Sequence, residues 1–400
     1  MPIDIYAPTD NDALSAQELA LYHLLMDYRA ANGLPAIPLS ASLTLTAGRH
    51  AVDTYQNIWL EGVTLPDGAN LHSWSDAYYY ADHSAAEVMW NAPSRLGTSY
   101  PSNGYEITAA GFASIEAALA GWQSSPGHDA VILNEGIWED NDWSAIGVGI
   151  EYHTSGGPYG GRIYHVWFGT SADPAGGPEI FGTDGSDSMT GTAAGDTIRA
   201  LDGADTVIGG EGDDFLFGGD SADDPRDVIY GGAGADSIDG GYGNDELRGD
   251  AGNDTITGGF GADTVIGGTG DDALTGQAWS DAIFGGDGDD FINGGFGHDR
   301  VNGGAGADRF FHLGANGHGS DWIQDYSAAE GDRLVYGGGA AVADDFLVQR
   351  ATTPGAGAAG VQEIFITHIP SGDLLWALVD GDAQASITVT AGGTSFDLLG

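Results

Sequence analysis

The sequence contains no cysteine among its 400 residues. Disulfide bonds and zinc sites built on thiolates are therefore excluded, but the compartment stays open because bacterial secreted proteins also lack cysteine. Basic residues are scarce: 11 Lys and Arg stand against 59 Asp and Glu, for a formal net charge of −48. Such a chain repels nucleic acids and anionic membranes, and it attracts cations.

Long apolar segments are absent as well. No run of 18 apolar residues occurs, so no transmembrane segment is expected. The stretch MPIDIYAPTDNDALSAQ (1–17) has neither the basic nor the apolar region of a signal peptide, so export would need a route without one. Because 42% of the residues are hydrophobic and the acids are spread out, we expect folded domains, two or three at this length.

Glycine, by contrast, is abundant: the chain has 68, and they are concentrated between positions 182 and 311. This region consists of fourteen units of one pattern, as in GGFGADTVI (258–266); thirteen units have nine residues and one, 218–230, has thirteen. Every unit carries an apolar residue next to last and an Asp two positions before it, which a flexible linker has no reason to keep. These aspartates are Asp187, Asp196, Asp205, Asp214, Asp227, Asp236, Asp245, Asp254, Asp263, Asp272, Asp281, Asp290, Asp299 and Asp308.

The repeat predicts a parallel β-roll. Glycine permits tight turns with positive φ, and the three residues around the apolar position form a strand too short to be stable alone. Stacked units complete one another's core, so two units make a coil of 18 residues and the region makes seven coils, about 34 Å in length. Stacked carboxylates would repel one another without a cation, and oxygen ligands favour Ca²⁺.

The pattern resembles the RTX calcium-binding repeats of bacterial exported toxins, proteases and lipases. That resemblance implies an ion between each turn and the next turn on the same edge, at most twelve in fourteen units. The units 191–199, 218–230 and 276–284 depart from the pattern, which leaves seven firm pairs and an expected seven to twelve Ca²⁺ ions. The resemblance also implies that the roll folds when it binds extracellular Ca²⁺.

The segment 312–400 is predicted to be a β-rich cap that covers the last coil. EIFITHIPSGDLLWALVD (363–380) reads as a β-hairpin with its turn at Pro-Ser-Gly-Asp. GSDWIQDYSAAEGDRLVYGG (319–338) resembles the segment that closes the roll in serralysin-type RTX proteins. The last residues, TSFDLLG, resemble the uncleaved signal of type I secretion substrates, which implies the type I secretion machinery as a partner.

Residues 1–171 are predicted to form an α+β domain with an α-β-α sandwich, followed by a linker at 172–181. A helix should begin after Ser15, whose capping box includes Glu18, and end at Gly33. Further helices are expected in LPAIPLSASLTLTAGRHAVDTYQ (34–56) and GFASIEAALAGWQSS (111–125). AIGVGIEY (145–152) and GRIYHVWFG (161–169) alternate as strands do.

This part resembles the bacterial form of the CAP superfamily, the SCP-like proteins. The resemblance rests on LLMDYRAANGLPAIPLSASLTLTAGRHAVD, LHS, GYEITAAGFASIEAALAGWQSSPGHDAVILN, AIGVGI and YHVWFG, in that order. The family places two His and two Glu around a cavity that binds zinc or another divalent ion in some members. Carried over, these positions are His72, Glu106 and His128, while Ser125 stands where the second Glu is expected.

Two functions follow from this resemblance, and a third from the roll. The first is an exported ligand-binding module for lipid, glycan or protein, in the extracellular space or at the cell surface. The second is a metal-dependent hydrolase or peptidase, because two imidazoles and a carboxylate can hold Zn²⁺ with an open position. The third is an adhesive or structural role. No catalytic residue is assigned, since Ser125 and His128 in one turn are weak evidence for a nucleophile pair.

The remaining histidines of this domain are interpreted as packing or surface residues, because a lone His on a helix or strand usually has such a role. They are His23, His50, His83, His153 and His165.

Overall fold

In the computed structural model, which describes residues 2–9, 12–153, 157–315 and 317–400, the chain forms two units, Met1–Phe181 and Gly182–Gly400. The helices of the first unit are α1 (Ala16–Ala31), α2 (Ala41–Val52), α3 (Glu87–Trp90), α4 (Ala92–Arg95), α5 (Ile115–Gln123) and α6 (Pro126–Ile132), with a π-helix at Asp53–Leu60 and 3₁₀ turns at Gly136–Trp138 and Pro158–Gly161. Its strands are β1 (Leu14–Ser15), β2 (Gly104–Ala110), β3 (Ala145–Tyr152), β4 (Arg162–Gly169) and β5 (Glu179–Phe181).

The predicted first helix is confirmed together with its cap. The Ser15 side chain accepts a hydrogen bond from the Glu18 backbone N–H at 3.3 Å, and the Glu18 carboxylate accepts the Ser15 N–H at 2.8 Å. The helix ends before Gly33, whose φ of 75° suits glycine best. Its end is therefore fixed by local sequence, as the capping rules predict.

The sheet of this unit is antiparallel, in the order β2-β4-β3, and α2 lies directly on it. A Cβ atom added at Gly147 would lie 2.1 Å from the Leu43 backbone carbonyl carbon, and one at Gly149 would lie 2.2 Å from that of Ala47. Only glycine permits this approach of helix to strand. The contact brings His50, near the end of α2, against the sheet.

Part of the predicted linker is built into the first unit. Glu179–Phe181 pairs in parallel with Leu14–Ser15. Asp173 accepts hydrogen bonds from the hydroxyls of Ser40 and Ser42 at 2.7 and 3.0 Å. This stretch of small residues, Pro and Gly therefore packs against α2 and β1, a contact that its composition does not reveal.

The regular secondary structure of the second unit consists almost entirely of β-strands. They are β6 (Ser188–Thr190), β7 (Thr197–Arg199), β8 (Thr206–Glu211), β9 (Phe215–Phe217), β10 (Val228–Ala233), β11 (Ser237–Asp239), β12 (Glu246–Ala251), β13 (Thr255–Phe260), β14 (Thr264–Thr269), β15 (Ala273–Ala278), β16 (Ala282–Asp287), β17 (Phe291–Asn293), β18 (Arg300–Ala305), β19 (Arg309–His312), β20 (Asp321–Ile323), β21 (Arg333–Tyr336), β22 (Phe346–Ala351), β23 (Glu363–His368), β24 (Asp373–Leu378), β25 (Thr388–Ala391) and β26 (Thr394–Asp397), with 3₁₀ turns at Ala343–Asp345 and Gly381–Ala383.

The strands of the repeats form the predicted parallel β-roll. Alternate units supply two sheets, and each residue pairs with the one a coil later, as Ile256 does with Leu274. The apolar position of every unit is at most 2% exposed, so these side chains form the core between the sheets. The roll has about eight turns over residues 179–323. The repeats alone predict seven coils. The structure has about one more, because parallel stacking continues into β20, beyond the end of the nonapeptide pattern.

The segment after the repeats continues both sheets. β24 adds to β20 in parallel, and β25 adds to β21 in the other sheet. The predicted hairpin is confirmed, since β23 pairs with β24 in antiparallel fashion. No helix among the described residues has the length and apolar character that a membrane span requires.

Candidate functional site

The repeat aspartates form a ladder along each edge of the roll. From Asp205 onward, each Oδ1 atom accepts the backbone N–H of the aspartate one coil earlier, as Asp272 does from Asp254 at 2.8 Å and Asp290 from Asp272 at 2.9 Å. Glycine turns bring the backbone of one coil close enough to the next for this bond. The strand that follows each Asp then places its apolar residue in the core. One oxygen of twelve of the fourteen repeat carboxylates thereby joins two coils.

The other oxygen of most of these carboxylates is buried without a partner. Among the described residues, the Oδ2 atoms of twelve repeat aspartates have no hydrogen-bond donor: Asp205, Asp214, Asp227, Asp236, Asp245, Asp254, Asp263, Asp272, Asp281, Asp290, Asp299 and Asp308. Leaving such an atom buried and unpaired is strongly unfavourable. A row of orphaned anionic oxygens points to a cation that belongs between the turns.

Backbone carbonyls complete the oxygen set. A Cβ atom added at Gly285 would lie 2.2 Å from Asp290 Oδ2 and 2.3 Å from the Gly303 carbonyl oxygen. Carboxylate and carbonyl oxygens of adjacent coils thus converge where glycine leaves room. These residues fit Ca²⁺, which takes oxygen ligands in flexible geometry. When bound, the ion would neutralise the stacked carboxylates and link successive turns.

Burial also alters the acidity of these groups. It raises the pKa of Asp245 from 3.8 to about 8, with smaller contributions from the carboxylates of Asp263 and Asp227. Burial likewise raises the pKa of Asp281 to about 7 and that of Asp272 to about 6. Without a cation, the ionised ladder therefore opposes folding at neutral pH.

Aspartates outside the repeat pattern also join coils, and Asp332 and Asp224 are two of them. Asp332 Oδ1 accepts the Asp308 N–H at 2.9 Å, and so continues one row of the ladder beyond the repeats. Asp224, inside the long unit, accepts the Gly203 N–H and leaves its Oδ2 buried without a partner among the described residues. Asp224 lies in the unit of thirteen residues, 218–230, where the nine-residue period assigns it no position. Asp332 has no sequence signal, because its spacing from Asp308 is not a multiple of nine.

The first unit has a separate cluster around Glu106. The Glu106 Oε2 atom lies 2.7 Å from Nδ1 of His72, and Oε1 lies 2.6 Å from Nδ1 of His50 and in contact with Nδ1 of His165. Glu106 and His165 come from neighbouring strands β2 and β4, whereas His50 comes from α2. Glu106, His50 and His165 side chains have no exposed surface.

The loop that carries His72 is tied to the helices beneath it. Asp53, at the start of the π-helix, accepts hydrogen bonds from the backbone N–H and the hydroxyl of Ser75, both at 2.6 Å. His50 Nε2 bonds to the Ser73 carbonyl oxygen at 3.1 Å. A π-helix often occurs at functional sites, because it reorients side chains within a helix. Here it orders the loop that presents His72.

The hydrogen bonds set the charge of this cluster. His50 bonds to the Glu106 carboxylate through Nδ1 and to the Ser73 carbonyl oxygen through Nε2. Burial alone would raise the pKa of Glu106, but the imidazoles of His50 and His165 outweigh it and hold the pKa well below its usual value. Burial lowers the pKa of His165 to about 4, so this ring is neutral at pH 7. The core therefore contains a Glu106 carboxylate that is surrounded by imidazole rings.

The hydrogen bond to Glu106 also orients the His72 ring. Its Nδ1–H donates to the Glu106 carboxylate, which leaves the lone pair on Nε2 as the reactive side of the ring. The His72 side chain is 16% exposed and lines a cavity of about 490 Å³. His128 lines the same cavity, and its Nδ1 bonds to Ser125 Oγ at 2.8 Å. The structure thus places His72, Glu106 and His128 along one cavity.

The distances between ligand atoms in the Glu106 cluster show whether these residues could hold zinc. His50, Glu106 and His165 have their ligand atoms within 4.8 Å of one another. However, two ligands of one tetrahedral zinc ion lie about 3.3 Å apart for bonds of about 2.05 Å, longer than the 2.6 Å between His50 and Glu106. These three residues therefore form a hydrogen-bonded cluster that does not fit zinc. His72, Glu106 and His128 do not form a group of this kind among the described residues, although all three line one cavity.

Sequence reasoning missed His50 and His165, which were interpreted as packing or surface residues. Both are buried and stacked, with ring centroids 4.0 Å apart, but they also hold the Glu106 carboxylate. No spacing in the sequence relates positions 50, 106 and 165. Of the other histidines, His83 lines the cavity and His153 stacks on Tyr55 with a centroid distance of 4.0 Å.

These observations define the second unit as a calcium-binding parallel β-roll. Its repeats are RTX calcium-binding repeats: the family described as RTX calcium-binding nonapeptide repeat (4 copies) matches residues 181–216, 190–224, 226–256, 239–274 and 280–310. The match covers about a third of the chain and coincides with the aspartate ladder. A comparison with curated proteins found no match.

In calcium-free protein, acidification from pH 8 to pH 5 is expected to stabilise the roll. The folded pKa values, between about 6 and about 8, lie above the unfolded value of 3.8, so folded carboxyls bind protons more tightly. Stability is therefore lost as pH rises through that window. Circular dichroism of the roll in EGTA at pH 5, 6, 7 and 8 measures this.

Saturation with Ca²⁺ supplies the control for that pH series. Metal binding requires deprotonated carboxylates, so the trend should reverse and acid should weaken the calcium-loaded roll. A calcium-free roll that loses β-structure between pH 8 and pH 5 would contradict the assignment of the raised pKa values.

Proposed function

We propose that this is an exported bacterial protein whose first 171 residues form a CAP-type ligand-binding module and whose RTX roll folds on extracellular Ca²⁺. The sequence stretches named above support the CAP assignment, and the shared cavity of His72, Glu106 and His128 agrees with it. The acidic composition and the resemblance of TSFDLLG to a type I secretion signal support export. A roll that needs Ca²⁺ would stay unfolded where Ca²⁺ is scarce and fold after export.

Among lipid, glycan and protein, the cavity favours a lipid. Its lining is mostly apolar, with Met89, Val131 and Trp90, and Ile137 at the lining is 88% exposed. The imidazoles of His72 and His128 supply hydrogen-bonding groups among these apolar side chains. An amphipathic ligand would bury an acyl chain against the apolar side chains and direct its head group to the imidazoles. The largely apolar lining with its two imidazoles carries this proposal, because ligand pockets combine apolar walls with a few polar groups that fix orientation.

Binding of cis-parinaric acid and lysophosphatidylcholine to the calcium-loaded full chain tests the lipid proposal. We expect Ile137→Glu to weaken binding about tenfold, because it places a charge where an acyl chain would pack. Leu60→Glu is the matched control, since Leu60 is 54% exposed in the same unit but does not line the cavity. Absence of binding by the wild type, or equal binding by the Ile137 variant, would refute a lipid site.

A metal-dependent hydrolase is the second candidate, and the orientation of His72 by Glu106 is the observation that favours it. A carboxylate that fixes the imidazole tautomer is a common arrangement for metal ligands and for general bases. Turnover of a substrate distinguishes the hydrolase from the binding module. Zinc-loaded protein that hydrolyses esters or peptides, and loses this turnover in His72→Ala and His128→Ala, would be an enzyme; a binding module shows no turnover.

A further inference from the structure

One edge of the roll carries a row of aromatic side chains. The third residues of alternate turns pair from coil to coil in the order Tyr242, Phe260, Ala278, Phe296. The rings of Tyr242 and Phe260 are stacked, with centroids 4.8 Å apart and an interplanar angle of 12°. Phe296 contacts the ring of His318 with a centroid distance of 4.7 Å. The row is therefore continuous except at Ala278.

Ala278 leaves a gap between two exposed rings, which we call the Ala278 slot. Phe260 and Phe296 are 50% and 53% exposed and stand two coils apart, roughly 9.6 Å at the spacing of strands. A flat ring halfway between them would lie about 4.8 Å from each, within the range of favourable ring contacts. A cavity of about 450 Å³ opens here, and Thr275 and Asn293 also line it.

The turn at the slot departs from the repeat at the two positions where glycine is most useful. Gln277 and Trp279 have φ values of 77° and 95°, whereas the coil before has Gly259 and Gly261 at these places. Side chains other than glycine are disfavoured in this conformation. Strain of this kind is typical of functional sites. Gln277 lines the slot, and Trp279 beside it is 70% exposed.

The slot continues into a second cavity along the roll. This cavity, of about 240 Å³, shares Phe260 and Gln277 with the first and extends past Tyr242 to Asp220 and Asp239. Among the described residues that line the two cavities, none is Lys or Arg. Because the whole chain has a formal charge of −48, an anionic ligand is disfavoured here.

We propose that this groove binds a neutral linear glycan, with one pyranose ring held in the Ala278 slot between Phe260 and Phe296. A pyranose presents apolar C–H faces to both rings, while its hydroxyls at the ring edge can bond to Thr275, Gln277 and Asn293. Neighbouring sugars extend along the groove, where Asp239 and Asp220 accept hydroxyl hydrogen bonds. This site is separate from the cavity of the first unit and does not depend on the lipid proposal.

Isothermal titration of the calcium-loaded full chain with hexasaccharides of glucose, mannose and N-acetylglucosamine tests the proposal. We expect at least one to bind and Ala278→Phe to weaken its binding at least tenfold, because a third ring would fill the slot and complete the aromatic row. Gln277→Gly should weaken binding at least threefold and raise the thermal midpoint, since it restores glycine at a positive φ. Phe215→Ala is the control, because Phe215 is 53% exposed but lines neither cavity.

Calcium-induced circular dichroism of each variant shows whether it folds. If Ala278→Phe does not fold, the binding measured for Gln277→Gly decides the test. The proposal is overturned if no neutral hexasaccharide binds at millimolar concentration. It is equally overturned if Ala278→Phe and Gln277→Gly bind as the wild type does. Binding of a hexagalacturonate in preference to the neutral sugars would reject the charge argument. Sedimentation that shows a dimer dissociated by Ala278→Phe, with no sugar bound, would assign the groove to a second copy of the chain.

Discussion

Removal of Ca²⁺ is expected to unfold the roll while the first unit stays folded. In EGTA, backbone amides of residues 182–311 should lose their protection from hydrogen exchange, and millimolar Ca²⁺ should restore it. The reason is the row of twelve buried Oδ2 atoms that have no donor among the described residues. Without a cation, these carboxylates must be protonated or remain buried and unpaired, and both are unfavourable at neutral pH.

The expected effect is large because many sites act together. Occupancy of one site at 100 times its dissociation constant contributes about 2.7 kcal/mol. The seven firm sites implied by the repeats would then contribute about 19 kcal/mol, more than the 5–15 kcal/mol of a typical domain. Local exchange measured by mass spectrometry separates the two units, and peptides from α1 and β4 serve as internal controls.

Millimolar Mg²⁺ is the control for ionic strength, since Mg²⁺ demands stricter geometry and gives up its water reluctantly. Unchanged protection of the repeats in EGTA, or equal protection by Mg²⁺, would contradict calcium-coupled folding.

Replacement of Glu106 by Gln is expected to destabilise the first unit by about 3–5 kcal/mol, because each hydrogen bond to a charged group contributes about 1.5–3 kcal/mol and Glu106 bonds to several imidazoles. The amide keeps the shape of the side chain but removes the carboxylate charge, and it turns N–H groups toward imidazole N–H groups. His50 stacks on Trp74 with a centroid distance of 4.2 Å, so tryptophan fluorescence reports on the cluster. Urea denaturation in Ca²⁺ measures the change.

Glu139→Gln is the matched control for this variant. Glu139 is an exposed carboxylate of the same unit, and its replacement should change the free energy of unfolding by less than about 0.5 kcal/mol. A Glu106→Gln variant that is as stable as the control would show that the cluster is not held by charge.

The sequence predicted local features well because neighbouring residues decide them. The α1 cap depends on Ser15 and Glu18, three positions apart, and the β23–β24 hairpin depends on one turn. Predictions became incomplete where the pattern stopped. β20 and Asp332 continue the roll and its ladder, but they follow irregular loops whose lengths hide the register. The pairing of Glu179–Phe181 with Leu14–Ser15 was missed because it joins segments more than 160 positions apart.

By itself, the sequence determined the β-roll and its affinity for calcium. The nine-residue repeat sets the positions of the turn, the carboxylate and the core residue in every coil. Because each coil contacts only its neighbours, the period of the sequence directly determines the structure. Only the tertiary structure decided that His50 and His165 hold Glu106, and that Ala278 opens a slot between two rings. These contacts join residues from separate helices, strands and coils, and their distances depend on how those elements pack.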